Sequence, residues 1–147
     1  MNISCAEEDI PLLRLLPILQ RMVHLADAHK KYGLTKSQAI IMIALKYRGS
    51  VTMTEVAQYM SSSKEQATRA VATLCDQGLV ERFEQQENRT RVFIRFSEAG
   101  QKFMEEFESQ IREEISKKLE SKLSEEEIAS LRCSLQTSID LLNKVIC

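Results

Sequence analysis

The chain has 147 residues, a formal net charge of −1 and 44% hydrophobic residues. This is the balance of a folded globular protein, and it excludes an intrinsically disordered one. With 4 Gly and 2 Pro, loops are few and helices are expected to dominate. The longest apolar run, Ala39 to Leu45, has seven residues and is too short to span a bilayer.

The near-zero net charge conceals an asymmetry along the chain. Residues 1–59 hold seven bases and five acids, residues 60–97 six and five, and residues 98–147 seven and eleven. A uniformly basic coat for nucleic acid is therefore excluded, whereas a local basic surface on the first two-thirds of the chain is allowed.

The first predicted helix covers residues 9–31, where apolar residues recur at helical spacing. Asp9 is the expected N-cap and Gly33 the expected C-terminal stop. Pro17 lies inside the pattern and removes one backbone hydrogen bond, so a kink or a break into two helices is expected there.

Three shorter helices follow, each opening on a hydroxyl residue with Gln or Glu three positions later, as in a capping box. The three start signals are Thr35–Gln38, Thr52–Glu55 and Ser63–Gln66, and the helices end at Gly49, near Met60 and at Gly78. Short helices joined by tight connections are typical of a helix-turn-helix core.

After Gly78 the apolar period changes from helical to alternating, which predicts two short strands at residues 79–83 and 91–96. The polar residues 84–90 between them are expected to form a hairpin loop with Arg89 at its tip. A hairpin directly after a helix-turn-helix makes a wing, and a protruding arginine can enter a narrow minor groove. A solvated charged hairpin is the alternative interpretation.

Two helices complete the chain, one from about Glu98 to Lys122 after a Ser97 cap, and a last one after Ser124. Their apolar stripes, together with that of the first helix, exceed what a single winged domain can cover. The exposed surplus lies on residues 10–26, 111–123 and 128–146. A second copy of the chain would cover it, which predicts a homodimer.

The helix of residues 63–77 is the candidate reading element for double-stranded DNA. Its predicted buried face carries Ala67, Ala70, Val71 and Leu74. On the opposite face, Arg69 can bond guanine or a phosphate, and Gln66 can bond adenine. The full set of candidate DNA-binding residues is Ser63, Lys64, Glu65, Gln66, Thr68, Arg69, Thr73, Arg89 and Arg91. An ordinary amphipathic surface helix is the alternative.

The order and spacing of these elements resemble the MarR family of winged-helix transcriptional regulators over nearly the whole chain. The residues that carry the resemblance are Gly33–Gln38, Thr52–Ala57, Ser63-Lys64 with Thr68-Arg69, Leu74–Arg82, Asn88-Arg89 and Phe96–Gly100. Two positions depart from the family pattern: Asn88 stands where the family usually has Asp, and Thr90 where it often has a second Arg.

The resemblance implies a mainly α-helical fold with a small β-hairpin wing. Residues 35–97 would form the winged helix-turn-helix domain, and residues 1–34 and 98–147 a helical dimerisation lobe with intertwined chain ends. It further implies a regulator, usually a repressor, that binds a pseudo-palindromic operator in a bacterial or archaeal cytoplasm. A small aromatic or apolar effector is expected near His24 and Met42.

Other classes of function are less well supported by the residues. No phosphate-binding glycine loop or hydrolase motif is present, so no enzyme, catalytic residue or cofactor is expected. The two His and four Cys lack metal-ligand spacing, so no metal site is expected either. Two alternatives stay open: a thiol-based redox sensor of the same fold using one of Cys5, Cys75, Cys133 and Cys147, and a winged-helix protein that binds another protein.

Overall fold

The computed structural model describes residues 10–25 and 28–146, except for the side chains at positions 10, 23–25, 28 and 88. The elements are α1 Ile10–Leu25, α2 Ala28–Lys31, α3 Lys36–Arg48, β1 Ser50–Thr52, α4 Met53–Tyr59, α5 Lys64–Asp76, β2 Val80–Gln85, β3 Asn88–Phe96, α6 Glu98–Glu120 and α7 Glu125–Ile146. The predicted fold class, mainly α with a small hairpin wing, is confirmed.

The chain divides into two compact units, one reaching Gln110 and the other beginning at Ile111. In the first unit, α3, α4 and α5 pack against a three-stranded antiparallel sheet of order β1-β3-β2. Its core lies between the helices and one face of the sheet. The largest fully buried side chains are Ile41, Met42, Leu45, Val51, Val56, Val71, Leu74, Ile94 and Phe107.

Helix boundaries follow the capping residues that the sequence indicates. The Thr35 N–H donates to Gln38 Oε1 at 2.9 Å, and the Gln38 N–H donates to Thr35 Oγ1 at 3.2 Å, which closes a capping box. Thr52 with Glu55, and Ser124 with Glu127, form the same reciprocal pair. These bonds satisfy backbone donors that have no partner inside the helix.

The junction between β3 and α6 returns the chain to the end of α5. The Ser97 hydroxyl accepts from the Gly100 N–H at 2.9 Å, as an N-cap should, and donates to the carbonyl of Gly78. The Ser97 N–H donates to the Leu79 carbonyl at 3.1 Å. Two of these hydrogen bonds therefore tie the N-cap of α6 to the residues that follow α5.

The structure differs from the sequence-based predictions in three places. Strand β1 was not predicted, and its only buried residue is Val51, which pairs with Ile94. The hairpin loop is shorter than expected, because β2 continues to Gln85 and β3 begins at Asn88. A kink or a break was expected at Pro17, and helix α1 runs through Pro17 without a break. Helix α2 begins at Ala28, and residues 26 and 27 lie outside the described residues.

The second unit contains the end of α6 and the whole of α7. Ile111, Ile115, Leu119 and Leu123, which continue the predicted stripe, are half-buried. None of the described α7 residues is fully buried. Large apolar side chains on α7 face solvent in the single chain: Leu135, Ile139, Leu141, Leu142, Val145 and Ile146.

Candidate nucleic-acid interface

Helix α5 separates an apolar face from a polar one, as the sequence predicts. Ala67, Val71 and Leu74 are fully buried, and Ala70 is half-buried. The seven α5 candidates are all exposed: Ser63, Lys64, Glu65, Gln66, Thr68, Arg69 and Thr73. The core thus fixes the helix while its polar face stays open to a partner.

The N-terminus of α5 is fixed by a side-chain cap. Ser63 Oγ accepts from the Gln66 N–H at 3.3 Å, but the return bond of a full capping box is not among the contacts of the described residues. The predicted box is therefore only half formed. The amide of Gln66 remains on the surface, where it can bond an external group.

Two threonine hydroxyls on this face are already used as donors. Thr68 Oγ1 donates to the Lys64 carbonyl at 2.8 Å, and Thr73 Oγ1 donates to the Arg69 carbonyl at 3.1 Å. Each hydroxyl can still accept a hydrogen bond, and each presents its methyl group. The two threonines can therefore offer a partner apolar contacts and hydrogen-bond acceptors, whereas Gln66 and Arg69 supply hydrogen-bond donors.

Glu65 lies at the start of the same face as an ionised acid. Its own backbone N–H and the Ser63 hydroxyl donate to the carboxylate and lower its pKa, and the charges of Arg69 and Lys64 lower it further. The carboxylate therefore carries a full negative charge at neutral pH among the basic residues. It can accept from cytosine, and it repels phosphate.

Three of the candidates line one shallow cavity of about 470 Å³. Gln66, Arg69 and Thr73, together with Ala70, form its α5 side. The opposite side is formed by residues that the sequence did not place at the interface: Thr35, which caps α3, Ser37 and Gln38 of α3, and Met60, Ser61 and Ser62 of the turn before α5. Thr35 and Gln38 were recognised only as helix caps.

The turn before α5 contains the one non-glycine residue of the described chain with a positive φ angle. Ser61 has φ +48°, a left-handed conformation that L-residues other than Gly rarely adopt. The backbone N–H groups of Ser61 and Ser62 donate to Gln58 and Ala57, which holds the turn closed. No sequence signal marks this turn, since a glycine would be the usual residue there.

The wing presents Arg89 and Arg91 on strand β3, and both are exposed. Pairing with β2 is regular up to Glu84↔Val92 and then shifts to Gln85↔Asn88. Positions 89–91 therefore lie within the irregular part of the ladder. The prediction that Arg89 occupies the loop tip is wrong, because it lies in this irregular part of β3.

A second cavity of about 630 Å³ lies between α4 and the wing. Arg91 lines it together with Thr90, Val92 and Phe93, opposite residues from Thr52 to Gln58. The structure thus groups Gln66, Arg69 and Thr73 around one cavity and places Arg91 at another. Arg89 is among the lining residues of neither.

The two expected effector residues are placed differently. Met42 is fully buried in the core of the first unit, so it presents no surface to a ligand. The side chain of His24 lies outside the described residues. Among the cysteines, Cys75 is half-buried and Cys133 exposed, both as free thiols, whereas Cys5 and Cys147 lie outside the described residues.

Residues 10–25 and 28–146 contain no group of three His, Cys, Asp or Glu side chains that could hold a metal ion. None of their helices is both long enough and apolar enough to cross a membrane.

Comparison with known proteins shows one family model that part of the chain matches and a fold that it shares with solved structures. Residues 32–90, from the end of α2 to the start of β3, match the model of the MarR family. A search of curated protein sequences found no match.

Several solved structures share this architecture. Wild-type MarR from E. coli superposes with a TM-score of 0.73 at 21% identity, covering 88% of this chain and 96% of that one. A MarR variant from E. coli complexed with operator DNA gives a TM-score of 0.63 at 21% identity, covering 92% and 98%. NadR in complex with 4-hydroxyphenylacetate gives 0.66 at 22% identity, covering 93% and 95%. Likenesses at these identities establish a common fold.

Proposed function

We propose that this chain, whose winged-helix domain belongs to the MarR family, is a homodimeric, sequence-specific DNA-binding regulator of transcription. In this proposal α5 enters the major groove and the wing approaches the minor groove. Residues 35–97 would bind DNA, and residues 1–34 and 98–147 would form the dimerisation lobe. The protein would act in a prokaryotic cytoplasm, without catalysing a reaction.

The observation that carries the proposal is the division of α5 into a buried face and a fully exposed polar face. Because Val71 and Leu74 already fix the helix in the core, Gln66 and Arg69 can reach base edges without further ordering of the backbone on binding. An amide pairs with adenine and a guanidinium with guanine in the major groove. Operator DNA bound to the MarR variant supports the same role here.

The proposal of a dimer is supported by apolar surface on each unit, considered separately. In the first unit, α1 exposes more than 40% of Leu12, Leu13, Leu16 and Leu19. In the second, α7 exposes Ile139, Leu142 and Val145. Such continuous apolar helix faces are unusual on a monomer and typical of an interface. A twofold dimer would place two α5 helices about one DNA turn apart and favour a pseudo-palindromic site.

We also propose that the regulator is a repressor released by a small aromatic or apolar effector. The complex of NadR with 4-hydroxyphenylacetate supports this class of ligand. His24 and Met42 remain the proposed contacts, and since Met42 is fully buried, a ligand would have to displace core side chains to reach it. Loss of operator binding on addition of hydroxylated aromatic acids would support this mechanism.

A salt titration of binding to duplex DNA selected from a random library tests the main proposal. Binding by phosphate neutralisation falls steeply with salt, since each neutralised phosphate releases counterions. We expect a steep slope and a clear preference for the selected site. The exposed Arg132 on α7 offers a control, since Arg132→Ala removes one positive charge far along the chain from α5 and should leave both quantities unchanged. Weak binding to all duplexes without salt dependence would favour a protein-binding winged helix instead.

A further inference from the structure

The base of the wing carries a cluster of four charged and aromatic side chains, of which only Phe93 also lines a cavity of the interface described above. Glu81 on β2 lies directly opposite Arg95 on β3, and Phe83 lies directly opposite Phe93. All four point away from the face of the sheet that buries Val80, Val51 and Ile94, since neighbouring residues of a strand alternate between faces.

These four side chains contact one another in a continuous chain. Arg95 Nε donates to Glu81 Oε1 at 2.6 Å. The Arg95 guanidinium carbon lies 4.6 Å from the centre of the Phe83 ring, within the range of a cation–π contact. The Phe83 and Phe93 ring centres are 5.6 Å apart, with the rings inclined at 32°. We call Glu81, Arg95, Phe83 and Phe93 the wing clamp.

The wing clamp lies within the regular part of the β2–β3 ladder, which runs from Val80↔Phe96 to Glu84↔Val92. Beyond Glu84↔Val92 the register shifts to Gln85↔Asn88, and Arg89 and Arg91 lie within this irregular part of β3. The regular pairs below this irregularity form the base from which Arg89 and Arg91 extend. Side-chain contacts across those pairs help to hold the hairpin in one conformation.

The positive charge of Arg95 is balanced by the carboxylate of Glu81 within the wing clamp. Its guanidinium is bonded to a carboxylate and covered on one side by a ring, whereas no ion pair involves Arg89 or Arg91 among the described residues. We propose that Glu81 and Arg95 are positioning residues, which hold the wing so that Arg89 and Arg91 meet DNA, and that Arg95 itself does not contact phosphate. This inference rests on the proposed DNA-binding function.

The direction in which DNA affinity changes when an acid is removed distinguishes a positioning role from a purely electrostatic effect. Glu81→Ala and the matched control Glu84→Ala each remove one exposed acid from β2. Removing an acid near DNA should strengthen binding, and we expect this of Glu84→Ala. Glu81→Ala should instead weaken binding by about two- to fivefold per half-site. The effect is limited to this size because an exposed ion pair stabilises the DNA-binding conformation of the wing only weakly, so its loss lowers the fraction of wings in that conformation only moderately. Equal strengthening by both variants would overturn the proposal.

A second variant distinguishes positioning from phosphate contact. Arg95→Met keeps an unbranched side chain beside Phe83 but removes the guanidinium. We expect weaker DNA binding with an unchanged salt slope, since no phosphate contact is lost. A slope reduced by about one per half-site would show that Arg95 contacts DNA directly, and would contradict the proposal.

The ordering of the wing can be measured without DNA, so the inference can fail separately from the proposed function. Amide hydrogen exchange and backbone order parameters at positions 89–91 should report greater mobility in Glu81→Ala and Arg95→Met than in Glu84→Ala or the unmodified protein. Unchanged mobility in both clamp variants would overturn the inference even if the protein binds DNA. Absence of salt-dependent DNA binding by the unmodified protein would instead overturn the proposed function.

Discussion

Gly100 and Leu79 approach so closely that a Cβ atom at position 100 would lie 1.7 Å from the Leu79 carbonyl oxygen. The contact joins the first turn of α6 to the segment that leaves α5, and the opposing atom belongs to the backbone. Gly100 has no positive φ angle, so this position requires glycine for space rather than for conformational freedom.

Gly100→Ala should therefore destabilise the protein by about 1–3 kcal/mol or more, because backbone must move to admit one methyl group. Chemical denaturation of the variant measures this cost. Ala99→Ser, at the exposed neighbouring position, is the control and should change the free energy of unfolding by less than about 1 kcal/mol. Equal stability of Gly100→Ala and the unmodified protein would refute the close approach.

Ser61→Gly should stabilise the protein by about 0.5–1 kcal/mol. Glycine adopts the left-handed conformation of position 61 without the steric cost that Ser bears, and part of that gain is offset by its greater freedom when unfolded. The control is Ser62→Gly, where φ is not positive and glycine should destabilise. A lower midpoint of denaturation for Ser61→Gly would contradict the assigned backbone conformation.

The lowered pKa of Glu65 predicts a pH dependence of stability. A carboxyl whose pKa is lower in the folded state contributes stability above its ordinary pKa of 4.5 and loses that stability as pH falls through the folded-state pKa. Carbon-detected NMR should titrate Glu65 below 4.5, and Ser63→Ala should move the midpoint upward by removing one donor. A midpoint at or above 4.5 in the unmodified protein would contradict the hydrogen bonds assigned to this carboxylate.

The proposed dimer predicts that charge on the apolar face of α7 separates the subunits. Ile139→Lys with Leu142→Lys should lower the sedimentation mass to that of a monomer or make the chain insoluble, since a charge buried in an interface is costly. Gln136→Lys, at an exposed polar position of the same helix, should leave the mass unchanged. An undiminished dimer in the double variant, or a monomer in the unmodified protein, would contradict this interface.

The helices were predictable because their signals are local. The boxes at Thr35, Thr52 and Ser124 lie within four residues, and the buried face of α5 follows from spacing alone. The burial of Met42 was not predictable, because it lies within seven consecutive apolar residues, whose pattern does not indicate which face of the helix is buried. Only the fold decides that Met42 is buried while Ile43 remains partly exposed.

The sheet was harder to predict because its pairing is non-local. Strand β1 has three residues, and it becomes a strand only by pairing with β3 some forty positions later. The contact of Glu81 with Arg95 depends on the pairing register of β2 and β3. Because the register shifts after Glu84, it cannot be predicted from the alternation of apolar and polar residues in the two strands. For the same reason Arg89, assigned to a loop tip from polarity, belongs to β3.

The most direct test of the account compares Arg69→Ala and Arg89→Ala on a selected operator and its single-base variants at several salt concentrations. Arg69 lies on the exposed face of α5, and its loss should cost about 1–3 kcal/mol per half-site and relax preference at one base pair if it is bidentate to guanine. Arg89 lies on the wing, and its loss should weaken all sites evenly and lower the salt slope by about one per half-site. A change of base preference in Arg89→Ala, with none in Arg69→Ala, would contradict the assignment of α5 as the reading helix.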